Sequence, residues 1–574
     1  MKVKRKKVVR LFMSALSILL ILVFLSACST SQPSTTTPTT PSTPTSSPSP
    51  TASPSPTAER IIRQTNTWPC YIDPAVGSDY TSSICLENLY DSLVFPKLDG
   101  TVQPWVASKW ESSSDGLTYT FDIRQGVKFH NGDELTAEDV AFSMNRMLAI
   151  GEGYGFLFKG TVDQALANGP YQVQFKLNKT FGPFLNSLVR LYIVNKNQVL
   201  SNVVKDGPYG EFGDYGKDWL ITHDAGSGPY MVKEMKTSES LYAVKFPDFW
   251  GGFEKDAPDS FRQIGTVEPV TVRTLMMRGE LEIGDMMQTN EALQVLDEKP
   301  GVDIATFFTG TGLNIMLNTK IAPTDDIHFR KALSYCIDYD TVVDQLWPGT
   351  HVMQGPVTSD TPGHNENIPS GKMDLQKAEE ELKQSPYYEQ LDKYPMVLSW
   401  CAEVADEEKL ALLVQSNASK LGIKVDVVKT PWLTIIDEMA AADTTPNGTV
   451  VFVSPHYPEA ISMLEARYHS RSCGTWEQGE WLQDANIDAL IDDAIATLDV
   501  TERFEKSKKI QEMIYELCPS IWLSDRAQKQ AYRADYVYWP MWEKIKSGEK
   551  TNVINGYEFY FKDFKVNPEK KLIP

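Results

Sequence analysis

Residues 117–147 read "LTYTFDIRQGVKFHNGDELTAEDVAFSMNRM". Leu117, Tyr119, Phe121 and Ile123 alternate onto one side, as in a half-buried strand. Asn131-Gly132 marks a turn, because both residues tolerate positive φ. Thr136 and Asp139 fit a helix capping box. Beyond them Ala137, Val140, Ala141, Met144 and Leu148 recur at helical spacing, and Glu134 and Glu138 sit near the positive end of the helix dipole. Strand, turn, cap and helix account for the whole stretch. His130, Asn131, Asp133 and Glu134 crowd into the turn and superficially resemble an active site. A metal needs three or four converging ligands, and no second cluster completes the set. His130 is read as a turn or packing residue.

The same periodicities recur further on. "YQVQFKLN", 171–178, alternates like the first strand. "MVLSWCA" (396–402) and "IKVDVVK" (423–429) are strand candidates that flank "DEEKLALLVQSNASKLG" (406–422). In the last, Leu410, Leu413, Val414, Ala418 and Leu421 share a helical face, and Gly422 closes it. Strand, helix, strand predicts a βαβ-like unit and an α/β class. A long helical region is expected from about Ile487 to Leu517.

The chain has 574 residues, enough for two to four domain-sized units, and is 42% hydrophobic. Its formal charge of −20 argues against nucleic-acid binding and against docking of the folded body on anionic lipid. Lys2, Lys4, Arg5, Lys6, Lys7 and Arg10 precede an apolar run from Leu11 to Ala27, the pattern of a signal peptide. "LSAC", 25–28, resembles the bacterial lipobox, which implies cleavage before Cys28 and lipid on that cysteine. Removing residues 1–27 takes away positive charge only and leaves about −26. Residues 28–58 are nearly all Ser, Thr and Pro; they cannot build a core and read as an extended tether. Six further cysteines remain: Cys70, Cys85, Cys336, Cys401, Cys473 and Cys518. Their pairing is open, with Cys70 and Cys85 favoured by short separation and free thiols the alternative. No C-x-x-C, H-E-x-x-H, G-x-S-x-G or P-loop occurs, so neither a catalytic residue nor a metal site is assigned.

Residues 91–147 as a whole resemble the signature region of the family 5 extracellular solute-binding proteins, the oligopeptide-, dipeptide- and nickel-binding components of ABC importers. Gly100, Pro104, Trp110, Gly116, Tyr119, Arg124, Phe129, Gly132, Thr136 and Asp139 carry the likeness. "GSGPYMVKE" (226–234), "VRTLMMRGELEIGD" (272–285) and "NIMLNTK" followed by "FRKALSYCIDYDTVV" (314–343) resemble later family segments in the same order. The resemblance implies a two-lobed, periplasmic-binding-protein-like α/β fold of type II, cluster C-like. One lobe is expected from 59–308 plus 522–574, with an inserted subdomain at about 95–225, and the other from 309–521. Crossing points are expected near 309–314 and 520–524.

The family likeness also directs the search for a site. Peptide-binding relatives carry an Asp for the ligand's amino terminus in a segment similar to "SPHYPEAISMLEARYHS", 454–470. Here His456 stands at that position, and Glu459 keeps an acid three residues on. Either Glu459 replaces the Asp or the ligand lacks a free amine. Trp68, Tyr71, Trp400, Trp432, Tyr457 and Trp476 fall where the family builds its cleft, and Arg467 could meet a carboxylate. The expected function is a lipid-anchored, monomeric receptor that closes on an oligopeptide or dipeptide and passes it to importer permease subunits. It is expected to be no enzyme and to need no cofactor. A cello-oligosaccharide receptor and a sensor lipoprotein are the alternatives.

Overall fold

The computed structural model describes residues 59–66, 70–265, 268–549 and 554–572. The signal peptide, Cys28, the tether and Trp68 lie outside the described residues.

The signature stretch folds as its pattern predicts. The strand Thr118–Ile123 is central in a four-stranded antiparallel sheet, ordered Ala107–Ser112, Thr118–Ile123, Gln172–Leu177, Val162–Ala167. Gly132 turns the chain at φ 93°. The Thr136 N–H donates to the Asp139 carboxylate at 2.9 Å, which completes the capping box and starts the helix Ala137–Ile150. That helix covers the sheet next to the strand Val162–Ala167. His130 is buried, with one ring nitrogen paired to Asp224 and the other 3.0 Å from the Gly228 carbonyl oxygen. Burial opposes its charge, but Asp224 outweighs that and raises its pKa. His130 therefore ties the signature turn to the Gly226–Tyr230 turn. Gly226 is required there, because a Cβ would stand 1.9 Å from the Leu89 carbonyl oxygen. Trp105 packs against Phe95 and Trp250. Its indole N–H donates to buried Asp91, as do Trp250 and Ser227.

A second four-stranded sheet is mixed. Ile61–Asn66 pairs in parallel with Ser260–Gly265, which continues antiparallel to Ser240–Lys245 and Tyr230–Lys236. The third sheet has six strands, ordered His351–Val352, Ser520–Arg533, Val302–Leu317, Gly448–Val453, Met396–Cys401, Val425–Thr430. Two of these are long. Val302–Leu317 and Ser520–Arg533 run antiparallel along most of their length, with a register break between Phe308 and Gly312. The expected crossing points fall on these two strands. The predicted βαβ unit is present: Met396–Cys401 and Val425–Thr430 pair in parallel around the helix Ala405–Ser419. One core lies against this sheet, built on Leu313, Ile315, Leu398, Leu410, Val414 and Val450.

The helical region after Ile487 differs from its expectation. It is two helices, Ala485–Ala496 and Val500–Leu517, because Asp499 caps the second by accepting from the Glu502 N–H. The sulfurs of Cys70 and Cys85 lie 2.8 Å apart, and both are thiols in the structure. Among the described residues no helix is long and apolar enough to cross a membrane.

Candidate functional site

Three strands of the six-stranded sheet run parallel to each other: Met396–Cys401, Val425–Thr430 and Gly448–Val453. Their carboxyl ends therefore open on one edge, the usual place for a ligand in such sheets. The segments that leave those ends form one wall of a cavity of about 130 Å³. Cys401, Val404 and Glu407 follow the first strand, Trp432 the second, and Ser454, Pro455 and His456 the third. Trp476 packs edge-on to Trp432, ring centres 5.0 Å apart. The opposite wall comes from the N-terminus of the helix Tyr80–Leu89, with Ser78, Asp79, Tyr80 and Ser83, and from Tyr154, Arg190, Met286 and Met287.

The walls meet through direct bonds. The Arg190 Nε donates to the His456 carbonyl oxygen at 3.2 Å, and the Asn555 amide to the Ser454 hydroxyl at 2.8 Å. Lys409 pairs with Glu291 at 3.1 Å nearby.

Arg190 dominates the electrostatics. It is 1% exposed, stacks over Tyr154 and donates to the Asn555 carbonyl oxygen. Burial opposes its charge, yet Tyr154, Tyr192 and Tyr557 around it raise its pKa further, so it stays protonated. No ion pair to Arg190 is present among the described residues. The acids behind it, Glu558 and Glu87, offset its charge only in part. Burial pushes Glu558 up to about 7 and Glu87 well above the carboxylate range, and neither Glu87 oxygen has a hydrogen-bond partner among the described residues. A buried cation with so little counter-charge is costly, and an anionic group at this wall would offset that cost. The rest of the cavity offers apolar surface from Met286, Met287, Trp432, Trp476, Val451 and Phe452. Its chemistry is that of capture: flat and flexible apolar contacts around a few fixed charges.

Three of the sequence-predicted residues line this cavity: Trp432, His456 and Trp476. His456 Nε2 is bonded to Glu477 at 2.7 Å, and its ring meets Phe156 edge-on. The others are placed elsewhere. Trp400 is buried in the core of the βαβ unit with Lys429 over its ring. Tyr457 is buried against Phe181. Glu459 forms a bidentate pair with Arg503, at 2.7 and 2.9 Å, and accepts from Asn186. Arg467 is buried on Glu480 and Ser520. Tyr71 is half exposed and does not line the cavity. Glu459 and Arg467 are each paired with a buried opposite charge, and neither lines the cavity.

Arg190, Tyr154, Glu407 and the two methionines were not anticipated. A signal for Arg190 was present: a lone arginine inside the apolar run from Phe184 to Val194. The strand-end rule applied to the βαβ unit points to Glu407.

Residues 101–472 match the family model for bacterial extracellular solute-binding proteins, family 5 Middle. The Escherichia coli K12 protein named "Probable D,D-dipeptide-binding periplasmic protein DdpA" is 26% identical over 490 residues, covering 83% of this chain and 91% of its own. The periplasmic binding protein DppA of Helicobacter pylori, solved with the peptide STSA, superposes with a TM-score of 0.75 at 22% identity, over 89% of this chain and 98% of that one. The Bacillus subtilis oligopeptide-binding protein AppA, solved with a nonapeptide, gives 0.74 at 20% identity, over 88% and 99%. These solved structures share the two-lobed fold. With the family model matched over most of its folded body, the chain belongs to the bacterial extracellular solute-binding proteins of family 5, the extracytoplasmic substrate-binding receptors of ABC importers, which are not enzymes.

Proposed function

We propose that this receptor captures a short peptide, with the ligand's carboxylate at Arg190 and an apolar side chain between Met286, Met287, Trp432 and Trp476. The observation that carries this is Arg190: a buried, protonated guanidinium on the cavity wall, with no ion pair among the described residues. The relatives named for dipeptides and solved with peptides support the same ligand class. The two walls belong to two lobes, 59–308 plus 522–574 and 309–521, with an inserted subdomain at about 95–225. The lobes move about the paired strands Val302–Leu317 and Ser520–Arg533. Ligand favours closure because it touches both walls. Lipid on Cys28 and the Ser/Thr/Pro tether hold the receptor at the membrane, where it meets the permease subunits.

A thermal-shift screen of the full chain tests the ligand class. The panel is dipeptides and tripeptides, cello-oligosaccharides, and nickel chelates. A ligand at 100 times its Kd adds about 2.7 kcal/mol. Peptides are expected to raise Tm. A shift with the sugars or chelates alone overturns the peptide assignment.

A further inference from the structure

Glu407 sits in the first turn of the helix Ala405–Ser419, just past the end of the strand Met396–Cys401. It lines the cavity and is 1% exposed. One carboxyl oxygen accepts the Cys401 N–H at 2.8 Å. The other makes no hydrogen bond, and the group makes no ion pair, among the described residues.

The other acids near the cleft are already engaged. Asp79 caps its own helix, accepting from the Ser82 N–H at 3.0 Å and the Ser82 hydroxyl at 2.6 Å. Glu477 accepts from His456, and Glu459 is held by Arg503. Of these acids only Asp79 and Glu407 line the cavity, and of the two only Glu407 keeps an oxygen without a hydrogen bond among the described residues. Trp432 and Trp476 line the same space, and aromatic faces favour a cation. We propose that Glu407 selects for a cationic group on the ligand, which in a peptide is the amino terminus. The inference rests on the cleft being the ligand site.

Other charged groups set the terms of this contact. Arg526, on the strand Ser520–Arg533, acts on Glu407 but is committed to the Phe452 ring at 3.9 Å and to the Met286 carbonyl oxygen. Glu403 lies in the preceding turn, and Asp79, Arg190 and His456 line the rest of the cavity. Burial pushes the Glu407 carboxyl up to about 8, so in the empty cleft it is protonated at neutral pH. An ammonium group bound there stabilises the carboxylate and releases the proton. Affinity for an amine therefore rises as pH goes from about 6 toward 8, by at most tenfold per unit.

The test compares the full wild-type chain with E407Q and E407D by titration calorimetry. Gln keeps an acceptor for the Cys401 N–H and removes only the charge. The probes are a dipeptide pool, the same pool N-acetylated, and a set of polyamines and amino sugars. The inference predicts that the free-amine pool binds wild type at least tenfold tighter than the acetylated pool. E407Q loses that preference and the pH dependence, E407D recovers part of both, and Tm stays within a few degrees. Equal affinity of E407Q and wild type for free amines overturns the inference. If no peptide binds but a polyamine or amino sugar does, and E407Q loses it, the peptide reading fails and the role of Glu407 stands. If wild type binds no cationic solute from any set, the role of Glu407 fails.

Discussion

Residues 127–140 and residues 454–470 carry similar chemistry on paper. The first has one histidine and four acids, the second two histidines and two acids, and each contains a helix start. In the first segment every such group is engaged: His130 on Asp224 and Gly228, Asp139 in the cap, Glu134 on the Gly126 N–H. In the second, engagement is divided. Glu459 and Arg467 hold the lobe together, while His456 reaches the cleft. Residue type does not separate structural from functional groups here. What separates them is whether hydrogen-bonding and charge capacity is left over at the cavity.

Glu459→Gln carries the largest expected effect. If Glu459 is structural, the variant loses about 3–5 kcal/mol, the cost of leaving one partner of a buried pair. Its folded fraction keeps wild-type peptide affinity. Chemical denaturation and titration calorimetry read the two effects separately. A stable variant with weakened binding would place Glu459 back at the ligand.

His130→Asn probes the other segment and has a pH signature. The folded pKa of His130 is raised, so its contribution is complete below about 6.5 and fades as pH rises through the folded value. Asp224 is depressed, despite burial, by His130, so its share is present above about 3.8 and fades as pH falls through its folded value. The wild type should exceed the variant by about 1–3 kcal/mol between about pH 4 and 6.5, with the gap narrowing above. Denaturation curves across pH check this. A gap that widens above pH 7 contradicts the charged pair. Peptide affinity should not change at any pH where both fold.

His456→Asn is the mildest in stability, within about 1 kcal/mol, because His456 and Glu477 keep partial contact with solvent. It should instead weaken ligand binding several-fold. An unchanged affinity would make both histidines structural and erase the contrast between the segments.

Much of the fold was legible because its cues are local. Alternation in Leu117–Ile123, the Thr136–Asp139 box and the apolar faces around Leu410 depend on neighbours in sequence. The break at Asp499 was missed because a cap interrupts an otherwise continuous apolar face. The site was legible only as segments. Trp432, His456 and Trp476 line the cavity: the first two follow strand ends, and Trp476 joins them by packing on Trp432. Trp400 and Tyr457 are their near neighbours, but strand alternation and tight burial turn them into the core. Arg190, alone in an apolar run, and Glu407, just past a strand end, leave local hints, but what each faces lies hundreds of residues away and no local pattern records that.

We propose above all that the cleft around Arg190 takes a ligand carboxylate. Titration calorimetry of the wild-type chain with a peptide that binds, and with the C-terminal amide of that same peptide, tests it without altering the protein. The structure predicts that amidation weakens binding at least tenfold. Equal affinity for acid and amide would contradict it.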